Sequence, residues 1–172
     1  MIAVTRLIDL LDKPAIKYWA NKIGLQGISL KDYEPKVQSE GNIGHKQIED
    51  YINNGTLFDG HEFFSESIKG FEVIGCEVDC DNGYICGRID LVLSRNNKTY
   101  VVDLKRNNSI YISTKLQLSA YKHIINADEI MYMNLKDFKL IPLKIDTSKY
   151  FNIIKNLYQI KKTLNELKEY NL

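Results

Sequence analysis

Asp90, Asp103 and Lys105 are the residues of this chain whose types and spacing could do chemistry together. Residues 84–94 and 98–105 read as antiparallel strands joined at Asn96-Asn97, a pair that tolerates the positive φ a two-residue hairpin turn needs. That turn pairs Arg95 with Lys98, and counting back sets Asp90 opposite Asp103. Like charges facing across a ladder cost roughly 0.2–1 kcal/mol, unless a cation lies between them. The two carboxylates are therefore candidate ligands of Mg²⁺ or Mn²⁺, hard cations that prefer oxygen. Lys105 lies two residues beyond Asp103 on the same strand face, where its ammonium would orient a water and stabilise negative charge in a transition state. Activated water and charge neutralisation in the transition state are what hydrolytic chemistry requires, and a carboxylate-held metal can supply them.

The elements that must position these groups follow from periodicity. A third strand, 72–80, joins through Asp81-Asn82-Gly83, and with Asn82-Gly83 as the turn Glu77 falls opposite Arg88. One face of the resulting meander then carries Ile74, Cys76, Val78, Ile85, Gly87, Ile89, Leu91, Leu93, Tyr100, Val102 and Leu104, and a helix must cover it. The opposite face gathers Glu77, Arg88, Asp90, Asp103 and Lys105 among Val73, Val92 and Val101, a localised polarity that suits a cleft. Glu77 reads either as a further acid at the site or as the cross-strand partner of Arg88, and both readings stay open.

Around the meander, Thr5 caps a helix to about Lys22, with Leu7, Ile8, Leu11, Ala15 and Trp19 near helical spacing and a break or restart at Pro14. Residues 24–37, with Pro35, read as a loop. A helix from near Ser39 or Asn42 carries His45, Ile48, Tyr51 and Ile52 and stops at Asn54-Gly55. A short helix over 62–68, a helix over 113–125, strands near 129–134 and 139–145, and a helix from 147 to about 170 complete the chain. With 172 residues and no linker or repeat, this is one domain: helices over 1–70, a core over 71–135, and a hairpin and helix over 136–172.

A hydrophobic fraction of 44%, a charged fraction of 26% and a net charge of +1 describe an ordinary globular protein without a global basic field. Nucleic-acid contacts would have to come from local patches. No apolar run reaches membrane-spanning length, so no membrane partner is expected. Three cysteines without a secretory leader favour a reducing, cytoplasmic setting. Cys76 and Cys80 fall on the apolar face and Cys86 on the other, so they read as free thiols and no iron–sulfur cluster is expected. His61 and His123 read as structural, and Lys155, Lys161, Lys162 and Lys168 as the solvated face of the last helix.

Taken together, Gly44-His45, Gly87-Arg88-Ile89-Asp90, Val102-Asp103-Leu104-Lys105 and Gln117-Leu118-Ser119-Ala120-Tyr121 resemble the RecB-like branch of the PD-(D/E)XK nuclease superfamily, over roughly residues 5–134. The Pro14 and Trp19 segment is similar to phage and mitochondrial exonucleases of that branch. Ile89 stands where the signature proline would be, and Asp103 where glutamate is commoner. The resemblance implies an α/β, restriction-endonuclease-like fold with a mixed sheet flanked by helices. It also implies a metal-dependent DNA nuclease, acting as an exonuclease in replication, recombination or repair on single- or double-stranded DNA with a free end. His45 and the Leu104 carbonyl would join Asp90 and Asp103 around the metal. Gln117 would position the lysine or a water, and Tyr121, Arg88 and Arg106 would contact nucleic acid. A junction-resolvase-like endonuclease and a catalytically silent binding module of the same fold are the alternatives.

Overall fold

The structure is a computed structural model that describes residues 1–11, 14–27, 29–106 and 109–169 and, within those, not the side chains of 14–16, 19, 30–41 and 169. Its elements run β1 (Ile2–Ala3), α1 (Val4–Ile8), α2 (Pro14–Leu25), α3 (Leu30–Asn54), α4 (His61–Ser67), β2 (Glu72–Asp81), β3 (Ile85–Arg95), β4 (Lys98–Lys105), α5 (Ile112–Ile124), β5 (Glu129–Asn134), β6 (Leu140–Pro142) and α6 (Thr147–Glu169). The chain divides into two compact units, one of residues 1–10 and 60–172 and one of residues 11–59.

The larger unit is built on a six-stranded mixed sheet with helices packed on it, the α/β architecture expected. β3 is its pivot. β2 runs antiparallel along one edge of β3, from Glu72↔Ser94 to Asp81↔Cys86. β4 pairs antiparallel with the end of β3, from Arg95↔Lys98 to Leu91↔Val102. β1 pairs parallel with its start, at Ile2↔Ile85 and Ala3↔Cys86. Cys86 thus has both β1 and β2 as neighbours, and Leu91 both β2 and β4, so β1 and β4 must share the edge that β2 does not use. Between them, no strand among the described residues pairs with residues 87–90 on that edge.

The β3–β4 turn follows the sequence: Asn96 and Asn97 both adopt left-handed backbone (φ 53° and 59°), as a two-residue hairpin of this hand requires. β4 then crosses through α5 to the parallel strand β5, with register from Tyr100↔Glu129 to Lys105↔Asn134. At the start of that ladder the Thr99 N–H donates to Asp128 Oδ2 (2.8 Å), with the exposed Lys98–Glu129 ion pair (2.7 Å) beside it. α5 lies on the apolar sheet face and packs on α6 and α1. The core it encloses includes Ile89, Leu91, Leu93, Val102, Leu104, Leu116, Leu118 and Met133, each at most 1% exposed.

Several expectations are corrected. The β2–β3 turn is centred on Gly83-Tyr84, one residue later than Asn82-Gly83. Asn82 Oδ1 accepts the N–H groups of Tyr84 (3.2 Å) and Ile85 (3.1 Å), and Gly83 takes the positive φ of 85° at the first turn position. Arg88 consequently faces Asp79 and not Glu77. A bulge between Val73 and Gly75 turns Ile74 out to 56% exposure, off the apolar face assigned to it. Thr5 is no cap, since α1 starts at Val4 with Ala3 at its N-cap, and the strand β1 before it is too short for any periodicity to reveal. β6 is also shorter than expected.

The smaller unit is helical. Pro14 opens α2, where a missing N–H costs nothing. α3 starts at Leu30, so Pro35 lies in helix and the expected loop is confined to the residues before it. Its end is as read: Gly55 (φ 68°) donates to the Tyr51 carbonyl at 3.0 Å and Thr56 to that of Asp50 at 3.3 Å. Tyr51 meets Phe58 edge-on at 5.7 Å. The side chains of Ala15 and Trp19 lie outside the described residues, as does the backbone of Tyr170.

Candidate active site

The site begins where β3 and β4 part. Strand pairing ends at Leu91↔Val102, one step short of Asp90 and Asp103, so the two aspartates are not a closed cross-strand pair as the simple register implies. The Asp90 side chain takes over instead: its Oδ2 accepts the Leu104 N–H at 2.7 Å. A backbone donor buried in a diverging hairpin must find an acceptor, and a carboxylate supplies a strong one while itself being fixed in direction. Beside it, Asp103 is 3% exposed. Lys105 Nζ donates to its Oδ1 at 3.0 Å and lies 2.9 Å from its Oδ2. Little of this carboxylate meets water, so the ammonium is the charge that offsets its desolvation.

Glu77 comes to the same place from β2. Its neighbours pair as Cys76↔Leu91 and Val78↔Ile89, which sets it across from Asp90. Carboxylate oxygens of Glu77 and Asp90 lie within 4.8 Å of each other. Glu77 adopts φ 52°, left-handed backbone that costs a non-glycine residue about 1–2 kcal/mol. Strain of this kind inside a strand is a feature of functional sites. The register expected to set Glu77 opposite Arg88 is overturned: Arg88 pairs across the ladder with Asp79 and donates to it, with Nε–Oδ1 at 2.8 Å and Nη2–Oδ2 at 3.3 Å. The same guanidinium holds the Asp79 carboxyl below the usual range.

The strandless stretch of β3 is filled from α5. A Cβ on Gly87 would stand 2.4 Å from Tyr121 Cε1 and 2.7 Å from its hydroxyl oxygen, so glycine is what lets this ring lie on the strand. The hydroxyl interacts with the Gln117 amide (3.4 Å) and with the Arg88 backbone, giving part of the open edge a partner. Burial pushes the Tyr121 phenol up to about 12, against the lowering effect of the Gln117 hydrogen bond. At neutral pH it is a hydrogen-bonding group and no base. Being 4% exposed, its ring offers no face for stacking on a base.

Gln117, Tyr121, Gly87, Arg88, Thr5 and Asp79 are among the residues lining a groove of about 580 Å³ along this edge. Asp79 is one of the lining residues that the sequence does not reveal, because the expected register sets the turn one residue early. Arg106 is exposed just beyond β4, and His45 is half-buried on α3 in the smaller unit. Cys76, Cys80 and Cys86 are free thiols. Cys80 is buried, and burial together with the nearby Cys86 pushes its thiol up to about 11.

Oxygen donors converging from adjacent strands, a lysine bonded to one of them, and a hairpin opened by the Asp90–Leu104 bond define the site's chemistry. The family model of the PD-(D/E)XK nuclease superfamily matches residues 29–170. The chain belongs to that superfamily. Its members are nucleases that use divalent metals, and the neighbouring carboxylates of Glu77 and Asp90 are hard oxygen donors of the kind such ions prefer. Among solved structures, the crystal structure of SSO0001 is similar at 20% identity and a TM-score of 0.46, covering 92% of this chain and 75% of that one. No curated protein matches. Among the described residues, no helix is long and apolar enough to cross a membrane.

Gly87→Ala should lower stability by about 1–3 kcal/mol in denaturant unfolding, as overpacking does. In the background of Tyr121→Ala, which removes the ring, the same substitution should cost far less. Equal costs in both backgrounds would show that the ring does not rest on Gly87.

Proposed function

We propose that this protein is a Mg²⁺- or Mn²⁺-dependent deoxyribonuclease of the RecB-like branch, one nuclease domain that degrades linear DNA from a free end in replication, recombination or repair. The observation that carries the reading is the opened hairpin, where the Asp90 carboxylate bonds the Leu104 N–H and Lys105 bonds Asp103 within one residue of it. Asp90 and Asp103 would hold the ion with the Leu104 carbonyl and Glu77, and His45 would add an imidazole. When bound, such an ion supplies Lewis-acid polarisation of a phosphoryl oxygen and a water acidified toward neutrality. The protein's own groups do the positioning. Lys105, fixed by Asp103, donates to the attacking water and faces the charge that builds on phosphorus. Gln117 steadies that water or the lysine, while Arg88, Arg106 and the Tyr121 hydroxyl contact phosphates. The free-end preference rests on the resemblance to phage and mitochondrial exonucleases and on the lack of any base-reading element among the described residues. Three free thiols suit the reducing setting of cytoplasm.

Linear DNA should be shortened from an end in Mg²⁺ or Mn²⁺ and left intact in chelator, while covalently closed circles survive. Rapid linearisation of circles would favour the structure-selective endonuclease, and no cleavage with nucleic-acid binding retained would favour the silent module.

Asp90→Asn and Asp103→Asn should each abolish cleavage with the fold retained by circular dichroism. Lys105→Ala should lose roughly 10²–10³-fold in rate yet still bind Mn²⁺ in calorimetric titration. His45→Ala should weaken metal affinity and activity together. Unchanged Mn²⁺ affinity in His45→Ala would remove it from the site.

A further inference from the structure

Beyond the strandless edge, the same sheet ends at a second groove whose chemistry differs. It measures about 510 Å³, and its walls include Tyr84 from the β2–β3 turn and Phe151, Lys155, Tyr158, Gln159 and Lys162 from α6. Tyr84 is 65% exposed, yet it is held edge-on against Tyr158 at a centroid distance of 6.0 Å, so an aromatic face is presented to solvent in a set orientation. Phe151 stacks on His123 at 4.3 Å, and Lys155 Nζ lies 5.5 Å from the Phe151 centroid. None of the lining residues is acidic. The first sixteen residues of α6, 147–162, carry Lys149, Lys155, Lys161 and Lys162 and no aspartate or glutamate, in a chain whose net charge is only +1. Glu166 approaches Lys162 at 3.8 Å, but both side chains are more than half exposed, so the pair is screened by solvent and cancels little of the local charge.

We propose that this groove binds a single-stranded segment of the nucleic-acid substrate, with one base stacked on Tyr84 and phosphates beside Lys155 and Lys162. Sequence-tolerant strand binding combines these features: ordered aromatic faces, a cationic wall and side-chain amides. A duplex keeps its base faces stacked and cannot use the tyrosine. The groove is also placed for the task. Tyr84 and Asp90 lie six residues apart along or just before β3, about 20 Å at 3.3 Å per residue. That is about six stacked nucleotides at 3.4 Å each. A strand held here would be anchored at a distance from the bond being cut. The inference rests on the nuclease reading for the identity of its ligand, and deepens it by giving the substrate a strand-holding subsite.

The test is fluorescence anisotropy with labelled twelve-nucleotide oligo(dT), oligo(U) and a duplex of equal length, all in chelator so that nothing is cut. Wild type should bind both single strands more tightly than the duplex. Tyr84→Ala should weaken single-strand binding on the order of tenfold, the value of one stacked base, and Tyr84→Phe should restore it. Lys155→Gln with Lys162→Gln should lower the slope of log affinity against log salt by about 1.4, at about 0.7 per phosphate contact. Tyr84 is 65% exposed and its ring contact is with Tyr158, so its loss should lower the melting temperature only slightly. Unaltered affinity in Tyr84→Ala, an unaltered salt slope in the double variant, or no binding of oligo(dT) by wild type at low salt would overturn the proposal. Cleavage separates the two ideas. In Mg²⁺, a trinucleotide too short to span 20 Å should be cut equally by wild type and Tyr84→Ala, whereas the twelve-nucleotide strand should show a raised KM in the variant. Failure of wild type to cut either would defeat the nuclease reading, and the anisotropy would still decide the groove.

Discussion

The bond from the Leu104 N–H to Asp90 Oδ2 is the constraint on which the rest of the site depends. A hairpin whose turn is set at Asn96-Asn97 would ordinarily keep zipping past Leu91↔Val102. Here a side chain takes a donor of the diverging strand, so the backbones can separate without leaving that N–H unsatisfied. The opening has to be filled from the other side as well. β1 covers Ile85 and Cys86, and the Tyr121 hydroxyl reaches the Arg88 backbone across a position kept free of side chain by Gly87. Short strand, glycine and tyrosine thus serve one purpose, which is to let a β-sheet stop pairing where the acids are.

The electrostatics follow from that opening. Asp103 stays almost wholly out of solvent because Lys105 lies on it, and Glu77 is brought across from Asp90 by a strand residue in left-handed backbone. Each arrangement costs free energy by itself, one through desolvation and the other through strain. Their coincidence within a few residues of the strand split sets this place apart from the exposed pairs elsewhere. Asp79–Arg88 and Lys98–Glu129 are ion pairs of the ordinary surface kind, worth little to stability.

Much of this was legible in the sequence, and the misses have identifiable causes. The β3–β4 register could be read because two consecutive asparagines are a local signal, and strand geometry propagates it without error to Leu91. The β2–β3 register could not, because the Asn82 side chain captures two backbone donors and moves the turn by one residue, which exchanges Glu77 for Asp79 as the partner of Arg88. The bulge that exposes Ile74 and the two-residue β1 leave no periodic trace. Pro35 suggests a loop by its type, yet the backbone around it is helical. That Asp90, Asp103 and Lys105 come close together is legible from spacing, whereas the split between their strands depends on a side-chain-to-backbone bond that spacing does not encode.

The claim that a divalent ion belongs at this split is tested most directly by titrating isotope-labelled protein with substoichiometric Mn²⁺ and following amide signals by NMR. Paramagnetic broadening should strike Glu77, Asp90, Asp103 and Leu104 first, while Asp128 and Glu129, an acidic pair at the far end of the β4–β5 ladder, keep their intensity. Broadening centred on that far pair, or spread evenly over the surface carboxylates, would contradict the account.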